Sequence, residues 1–366
     1  MIRKILFSFL FMASFFTISA QDSSVDTLPV RGLCIGAPAA DGVERFAKFI
    51  AEELAPMQVN TLILRIDFNY QYKSRPELGN PEGLSQKDVE ALVKVCRDHQ
   101  IRLIPQVNLL GHQSWAGSLG KLLTVYPEFD ETPEVTLPEK YEWPNDDGLY
   151  CKSYCPLHPQ VHSVVFDIVD EICDVFQADA FHAGMDEVFY IGQEQCPRCG
   201  GRDPAELFAG EVTKIRNHLA AKERQLWIWG DRLIDGKTTG MGIWEASFNN
   251  THRAVDMIPK DVMICDWHYE RPDQTAVYFA MKGFPVVTSP WRNPEVGRRQ
   301  VADMYRFRQY ATSAMKDRYQ GMLHTIWTGN AAFLDQYYGL SEHRNERGLS
   351  QVECLKEVFK AINAQD

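Results

Sequence analysis

Ala180-Phe-His-Ala-Gly-Met-Asp-Glu-Val-Phe-Tyr-Ile-Gly192 is the stretch around which the rest of the chain can be ordered. A short apolar run ends at Gly184, two adjacent carboxylates follow as Asp186 and Glu187, and apolar residues close in behind them. Adjacent carboxylates repel, and water is their ordinary place. At a strand end with a hydrophobic rim their proton affinities are expected to separate, leaving one as a protonated acid and the other as a charged partner. The plainer reading is a helix N-terminus carrying two acids, where the helix dipole favours negative charge.

Moving outward, Ala180–Gly184 is the fourth of eight short β-type runs. Gly32–Ile35, Thr61–Ile66 and Arg102–Val107 precede it; Leu226–Trp229, Val262–Asp266, Val286–Ser289 and Met322–Ile326 follow. Helical patterns fill the intervals: Val43–Ala55, a segment capped by Ser85 and running to His99, Val161–Phe176, Ala205–Lys222, Thr275–Lys282, Pro294–Lys316 and Leu349–Ala364. Between the fifth and sixth runs His252–Ile258 is the best helical fit, and the stretch from Leu109 to Pro159 reads as a long loop. Strict alternation on this scale predicts an α/β fold, a (β/α)8 TIM barrel forming a single catalytic domain over residues 21–366. A doubly wound open sheet is disfavoured, because no Gly-rich phosphate turn follows the first strand.

In such a barrel the active site is assembled at the carboxyl ends of the strands. Those ends read as Asp67 for strand two, Asn108 with His112 beyond it for strand three, and Asp186 with Glu187 for strand four. Strand five closes as Trp229-Gly-Asp231, strand six as Asp266-Trp267-His-Tyr269, strand seven as Ser289-Pro-Trp291-Arg292, and strand eight as Trp327. Four of the eight tryptophans thus close strands five to eight. Indole faces stack on the C–H faces of a pyranose while polar groups bind its hydroxyls, so the pattern suggests a sugar pocket; aromatic plugs at a barrel mouth are the plain alternative. His112 is expected to brace a carboxylate or cap a turn. His182, inside strand four, reads as a core histidine or a substrate contact, and Asp231 as a hydroxyl ligand or a cap. Glu245 and Asp67 are further candidate carboxylates.

The chain has 366 residues, 45% hydrophobic and 24% charged, with a formal net charge of −11. That composition is globular, and its sign argues against nucleic acid or an anionic membrane as partner. Arg3 and Lys4 before the apolar run Ile5–Ile18, with small residues Ser19 and Ala20 after it, read as a signal peptide over residues 1–20. Export, to periplasm or medium and with no membrane anchor, is the expectation. Of nine cysteines, Cys34, Cys96, Cys173, Cys265 and Cys354 read as buried thiols. Cys151, Cys155, Cys196 and Cys199 fall in loops, where export favours disulfides over a metal site. No His-Glu-x-x-His or Gly-x-Ser-x-Gly motif is present, and neither a cofactor nor a catalytic metal is expected.

With these residues in place, the chain resembles the catalytic domain of glycoside hydrolase family 20, the β-N-acetylhexosaminidases. His182-Ala-Gly-Met-Asp-Glu187 is similar to that family's His-x-Gly-Gly-Asp-Glu signature. Arg31-Gly32, Ile104-Pro105 with Gly111-His112, Ser289-Pro-Trp291 and Trp327 match further motifs in order. The resemblance implies Glu187 as general acid/base and Asp186 as the group that holds the substrate's 2-acetamido group. The acetamido oxygen itself would attack the anomeric carbon, with retention, an exception to the two-carboxylate scheme. It further implies Arg31 as a ligand of the sugar hydroxyls, and Trp229, Trp267, Trp291 and Trp327 as pocket walls.

This sequence departs from the family pattern at Met185, in place of the second glycine, and at Gln106 and Asn108, where acids are usual. Arg292 stands where a tyrosine is expected, and Gly329 and Asn330 stand where an acid commonly binds hydroxyls. Two other readings share the fold: a glycosidase pairing Glu187 with Asp231, Glu245 or Asp67 on a sugar without the acetamido group, and a non-catalytic glycan-binding protein.

Overall fold

In a computed structural model, residues 27–138 and 151–365 are described; the expected signal peptide lies outside them. Eight parallel strands close into a barrel: β1 (Val30–Gly36), β2 (Thr61–Arg65), β3 (Arg102–Leu109), β4 (Ala180–Gly184), β5 (Gln225–Trp229), β6 (Met263–Trp267), β7 (Val286–Ser289) and β8 (Tyr319–Thr325). Each pairs with its neighbours in sequence, and β8 returns to β1 in register from Val30↔Gly321 to Cys34↔Thr325. Gly321 makes that seam possible. Its φ is +135°, and a Cβ there would lie 2.1 Å from the Val30 carbonyl oxygen. Asn330 completes the closure by donating Nδ2 to Gly36 O at 3.0 Å.

The outer layer contains α1 (Val43–Phe49), α2 (Gln86–Asp98), α3 (Val161–Val175), α4 (Pro204–Ala220), α5 (Thr275–Met281), α6 (Pro294–Tyr310) and α7 (Gln351–Asn363). Their starts follow local chemistry. Ser85 and Asp88 form a reciprocal capping box on α2, and Asp203 before Pro204 caps α4. The helix expected over Pro294–Lys316 is divided, because Thr312 caps a separate short helix, Ser313–Lys316. Between β5 and β6 the chain forms three short helices, a 3-10 turn at Asp231–Leu233, an α turn at Gly236–Thr239 and a 3-10 helix at Thr251–Asp256 that overlaps the expected His252–Ile258 segment.

Two apolar layers hold this together. Helices pack on the outside of the strands through Phe46, Phe49, Leu92, Ile168, Ile215 and Val358, all fully buried. Inside the barrel, Cys34, Ile63, Ile104, Trp227, Trp229 and Leu323 fill the bore. The bore is therefore solid, and chemistry is confined to its rim.

Candidate active site

The acid pair sits where β4 runs out, and the backbone there is unusual. Gly184, Met185 and Glu187 have φ of +69°, +70° and +49°. A Cβ at Gly184 would approach Asn108 Oδ1 to 2.3 Å, so glycine is required at that position. Left-handed geometry costs a side-chain-bearing residue about 1–2 kcal/mol, and such strain gathers at functional sites. Here it turns both acids toward the rim, with the Asp186 and Glu187 side chains 11% and 14% exposed. Both are reachable and both are largely screened from water.

His112 joins them. Its Nε2 lies 3.1 Å from Asp186 Oδ2 and 3.1 Å from Glu187 Oε2. Burial opposes a charge on this ring, but the adjacent Cys151 and Asp186 groups outweigh it and hold His112 well above the ordinary histidine value. Asp186 supplies that pull at neutral pH, since burial pushes the Cys151 thiol up to about 12 and keeps it neutral. Burial likewise works against the Asp186 carboxylate, and the His112 charge and hydrogen bond reverse the balance, leaving Asp186 below its usual range. Asp186 Oδ1 is buried and has no hydrogen-bond partner among the described residues. Cys151 Sγ is 3.4 Å from Glu187 Oε2 and 3.7 Å from His112 Nδ1.

Asp231 works beneath the pair. It is 2% exposed, accepts the Glu187 backbone N–H at 2.9 Å and Arg232 Nε at 2.6 Å through Oδ2, and accepts Trp267 Nε1 at 3.3 Å through Oδ1. Both oxygens are bonded within the protein, and the buried side chain holds the backbone at Glu187, the capping alternative of the two. Burial raises its carboxyl to about 6 despite Arg232. Arg232 in turn donates to the Ile243, Trp244 and Ala246 carbonyls, tying the β5 loop together. Glu245 is bonded to His268 Nδ1 at 2.7 Å.

The four tryptophans divide by level. Trp229 and Trp267 are the last residues of β5 and β6 and are buried, Trp229 completely. Trp291 and Trp327 lie beyond β7 and β8 and are half-buried. Trp229 is thus floor and not wall, packed on His182 at 4.6 Å and Trp327 at 5.8 Å. His182 is fully buried; its Nδ1 accepts the Gly184 N–H at 3.0 Å, and burial lowers it to about 3. It is a neutral core histidine.

Arg31 is placed at the opposite end of the barrel. It is the second residue of β1, and its guanidinium donates to the Gln58 and Leu28 carbonyls at 2.9 and 3.1 Å. Strands in a parallel barrel share one direction, so a residue near the start of β1 lies far from one that follows β4. Arg65, the last residue of β2, stands at the mouth instead. It donates to Ile326 O at 2.8 Å and covers the Trp327 ring at 4.4 Å. Its signal in the sequence is a lone charge ending an apolar strand.

Arg65, Asp67, Asn80, Trp327 and Gly329 line an open cleft of about 530 Å³. Asp67 Oδ1 accepts the Asn108 N–H at 2.8 Å and lies close enough to feel the charges of His112 and Asp186, linking cleft and acid pair. Gln106 is buried and donates to Asn108 Oδ1 at 3.1 Å. Tyr269 supplies a phenol on this side: its hydroxyl accepts Trp327 Nε1 at 2.9 Å, and its ring packs between Trp267 and Trp291 at 4.9 and 5.4 Å. Arg292 lies over the Trp291 ring at 4.1 Å.

All nine cysteines are free thiols. The loop four do not act as one group: Cys151 faces Glu187, while Cys155, Cys196 and Cys199 gather around Glu131. Among the described residues, no helix is long and apolar enough to cross a membrane.

An eight-stranded barrel with paired acids after β4 and indoles at later strand ends defines a sugar-hydrolase type of site. Residues 69–328 match the family described as glycosyl hydrolase family 20, catalytic domain, and the chain belongs to that family. It is 23% identical over 215 residues to the lacto-N-biosidase of Bifidobacterium bifidum, a match covering 55% of this chain and 17% of that protein. It is also 23% identical over 238 residues to a β-hexosaminidase of Porphyromonas gingivalis, covering 61% and 29%. The chain spans less than a third of the length of these relatives. Among solved structures, Flavobacterium johnsoniae chitobiase superposes with a TM-score of 0.63 at 17% identity, over 92% of this chain and 51% of that one. A β-N-acetylhexosaminidase from Bacteroides fragilis does so with a TM-score of 0.60 at 18% identity, over 90% and 66%.

Proposed function

We propose that the protein is an exported exo-glycosidase that removes terminal β-linked N-acetylhexosamine, or a close relative, by substrate-assisted retaining hydrolysis. The observation that carries this is the asymmetry of Asp186. His112 holds its Oδ2, while its buried Oδ1 lacks a partner, and a buried acceptor of that kind calls for a donor. A 2-acetamido N–H would be such a donor, reaching Oδ1 as the bound sugar displaces the side chains that cover it. So held, the acetamido carbonyl oxygen attacks the anomeric carbon as Glu187 protonates the departing glycosidic oxygen. The resulting oxazolinium is opened by water, whose proton returns to Glu187. Retention follows from two inversions at the same carbon.

Asp231 and Arg232 fix the backbone from which Glu187 projects. Arg65 and Asp67, in the cleft, take the hydroxyl-binding role that the resemblance gave to Arg31. Tyr269, after β6, brings a phenol beside the strand-seven end where Arg292 stands in place of the expected tyrosine, with Trp267, Trp291 and Trp327 as apolar walls. The Asp231 side chain is buried beneath Glu187 and Glu245 is tied to His268, so a mechanism with a second protein carboxylate loses two of its candidates. The basic–apolar–small pattern of residues 1–20 supports export.

Comparing aryl glycosides that differ at C2 tests the reading. The 2-acetamido β-glucoside and β-galactoside should be hydrolysed, and the 2-hydroxyl analogues should be left essentially intact. Equal turnover of the hydroxyl sugars would overturn it.

A further inference from the structure

Four buried donors converge in the loops after β3 and β4, in a place the proposed reaction does not use. Glu131, Cys155, Cys196 and Cys199 each offer a ligand atom within 4.8 Å of every other. Glu131 follows the turn Pro127–Phe129, Cys155 precedes α3, and Cys196 and Cys199 follow the acid pair, so three separate segments meet. The Cys155 and Cys196 sulfurs are 3.5 Å apart, and Cys199 Sγ is 2.8 and 2.9 Å from the Glu131 oxygens. Tetrahedral Zn²⁺ with Zn–S near 2.3 Å and Zn–O near 2.0–2.2 Å needs donors about 3.4–3.8 Å apart. The cluster is close to that spacing, and the Cys199–Glu131 contact would open by several tenths of an ångström.

Three further features distinguish it from an incidental group of thiols. Cys196-Pro-Arg-Cys199-Gly200 is a tight turn: Gly200 N–H donates to Cys196 O at 2.9 Å, and a Cβ at Gly200 would fall 2.6 Å from that oxygen. The turn aims the Arg198 and Cys199 backbone N–H groups at Cys196 Sγ, and the Leu157 N–H is aimed at Cys155 Sγ. Such contacts support metal-bound thiolates from outside the coordination shell. Glu131 is fully buried, with the Gln193 N–H and thiols as partners and no Lys, Arg or His paired with it among the described residues. A carboxylate in that position requires a cation or must give up its charge. The Arg198 side chain reaches Cys155, where it would offset the excess negative charge of three thiolates and a carboxylate around one divalent ion.

We propose that Glu131, Cys155, Cys196 and Cys199 bind one structural Zn²⁺ that clamps the β3 and β4 loops together. A full set of four protein ligands marks a structural site, since a catalytic zinc keeps a position open, and the soft sulfur donors select zinc over magnesium or calcium. The clamp holds both sides of the reaction centre. Cys155 shares a short segment with Cys151, whose thiol touches Glu187, and Cys196 ends the loop that begins at Glu187.

Tag-free protein, purified under reductant without chelator and supplied with Zn²⁺, should carry close to one zinc per chain by mass spectrometry of the metals. Absorption at the zinc edge should fit about three sulfurs near 2.3 Å and one oxygen. Cys199→Ser and Cys155→Ser should lose the metal, and Cys96→Ser, at a buried thiol on α2, should keep it. The wild-type metal content decides the matter even if the cluster variants do not fold. Wild-type protein that takes up no zinc, binds iron instead, or contains a Cys155–Cys196 disulfide when isolated without reductant overturns the proposal.

Discussion

The two ends of the barrel both hold side-chain-bearing residues in left-handed backbone, and they use it differently. At the amino end these are Gln58, Gln100, Gln177 and Glu223, with φ between +49° and +62°. Each terminates a helix by one pattern. Ile101 N–H returns to Cys96 O, Ala178 to Cys173, Arg224 to Leu219 and Val59 to Leu54, which satisfies carbonyls that a helix end leaves bare. At the carboxyl end the left-handed residues include Asp67, His112, Met185 and Glu187. There the strain aims chemistry. The arginines follow the same division: Arg31 is consumed by backbone carbonyls, and Arg65 opens onto a cleft.

The contrast is broken or sharpened most strongly by Glu187→Gln. General acid catalysis alone contributes about 10²–10⁴-fold, so kcat/KM should fall by at least that factor while folding is unchanged. Near-wild-type turnover would remove the carboxyl end from the chemistry. Next comes the arginine pair. Arg65→Ala should lose about 10–100-fold in kcat/KM, the equivalent of about 1.5–3 kcal/mol for charged hydrogen bonds to substrate. Arg31→Ala should stay within about threefold; the reverse ranking would invert the assignment of the two ends.

A smaller effect is a pH dependence of stability. His112 titrates above its unfolded value, so its charge stabilises the fold fully below about pH 6.5, and that contribution is lost as pH rises toward the folded value. Denaturant unfolding should therefore separate wild type from His112→Gln more widely at pH 6 than at pH 9. An equal gap at both would mean that the ring is neutral. Smallest is Gln100→Gly, which relieves a left-handed residue at the amino end. It should stabilise by up to about 1 kcal/mol with activity intact, since the turn it closes touches no part of the site.

Much of this was legible in the chain because the signals are local. Strands β4 and β7 have the limits their apolar runs suggest, and Ser85 with Asp88 announces α2. The acid pair and His112 fall together because strand ends in a barrel converge. What the sequence concealed is height along the barrel axis. Trp229 and Trp327 look alike as strand-closing indoles, yet the first is the final residue of its strand and points into the bore, while the second lies past its strand and reaches the rim. Arg31 misled for the same reason: it belongs to a matching motif but stands near the start of its strand. Arg65 was visible as a solitary charge, but its partner Trp327 lies far along the chain, a proximity that spacing does not reveal. The splitting of the loop cysteines, one to Glu187 and three to Glu131, is likewise a tertiary fact.

The seam between β1 and β8 bears on how the molecule is made. The bond from Asn330 to Gly36 joins positions 294 apart, and β1 finds its second neighbour in the last barrel strand to be translated. Until then the nascent chain carries a bare strand edge, able to recruit the wrong neighbour. Refolding should accordingly be slow and concentration-sensitive, with ring closure as the late event that commits the polypeptide to its native state.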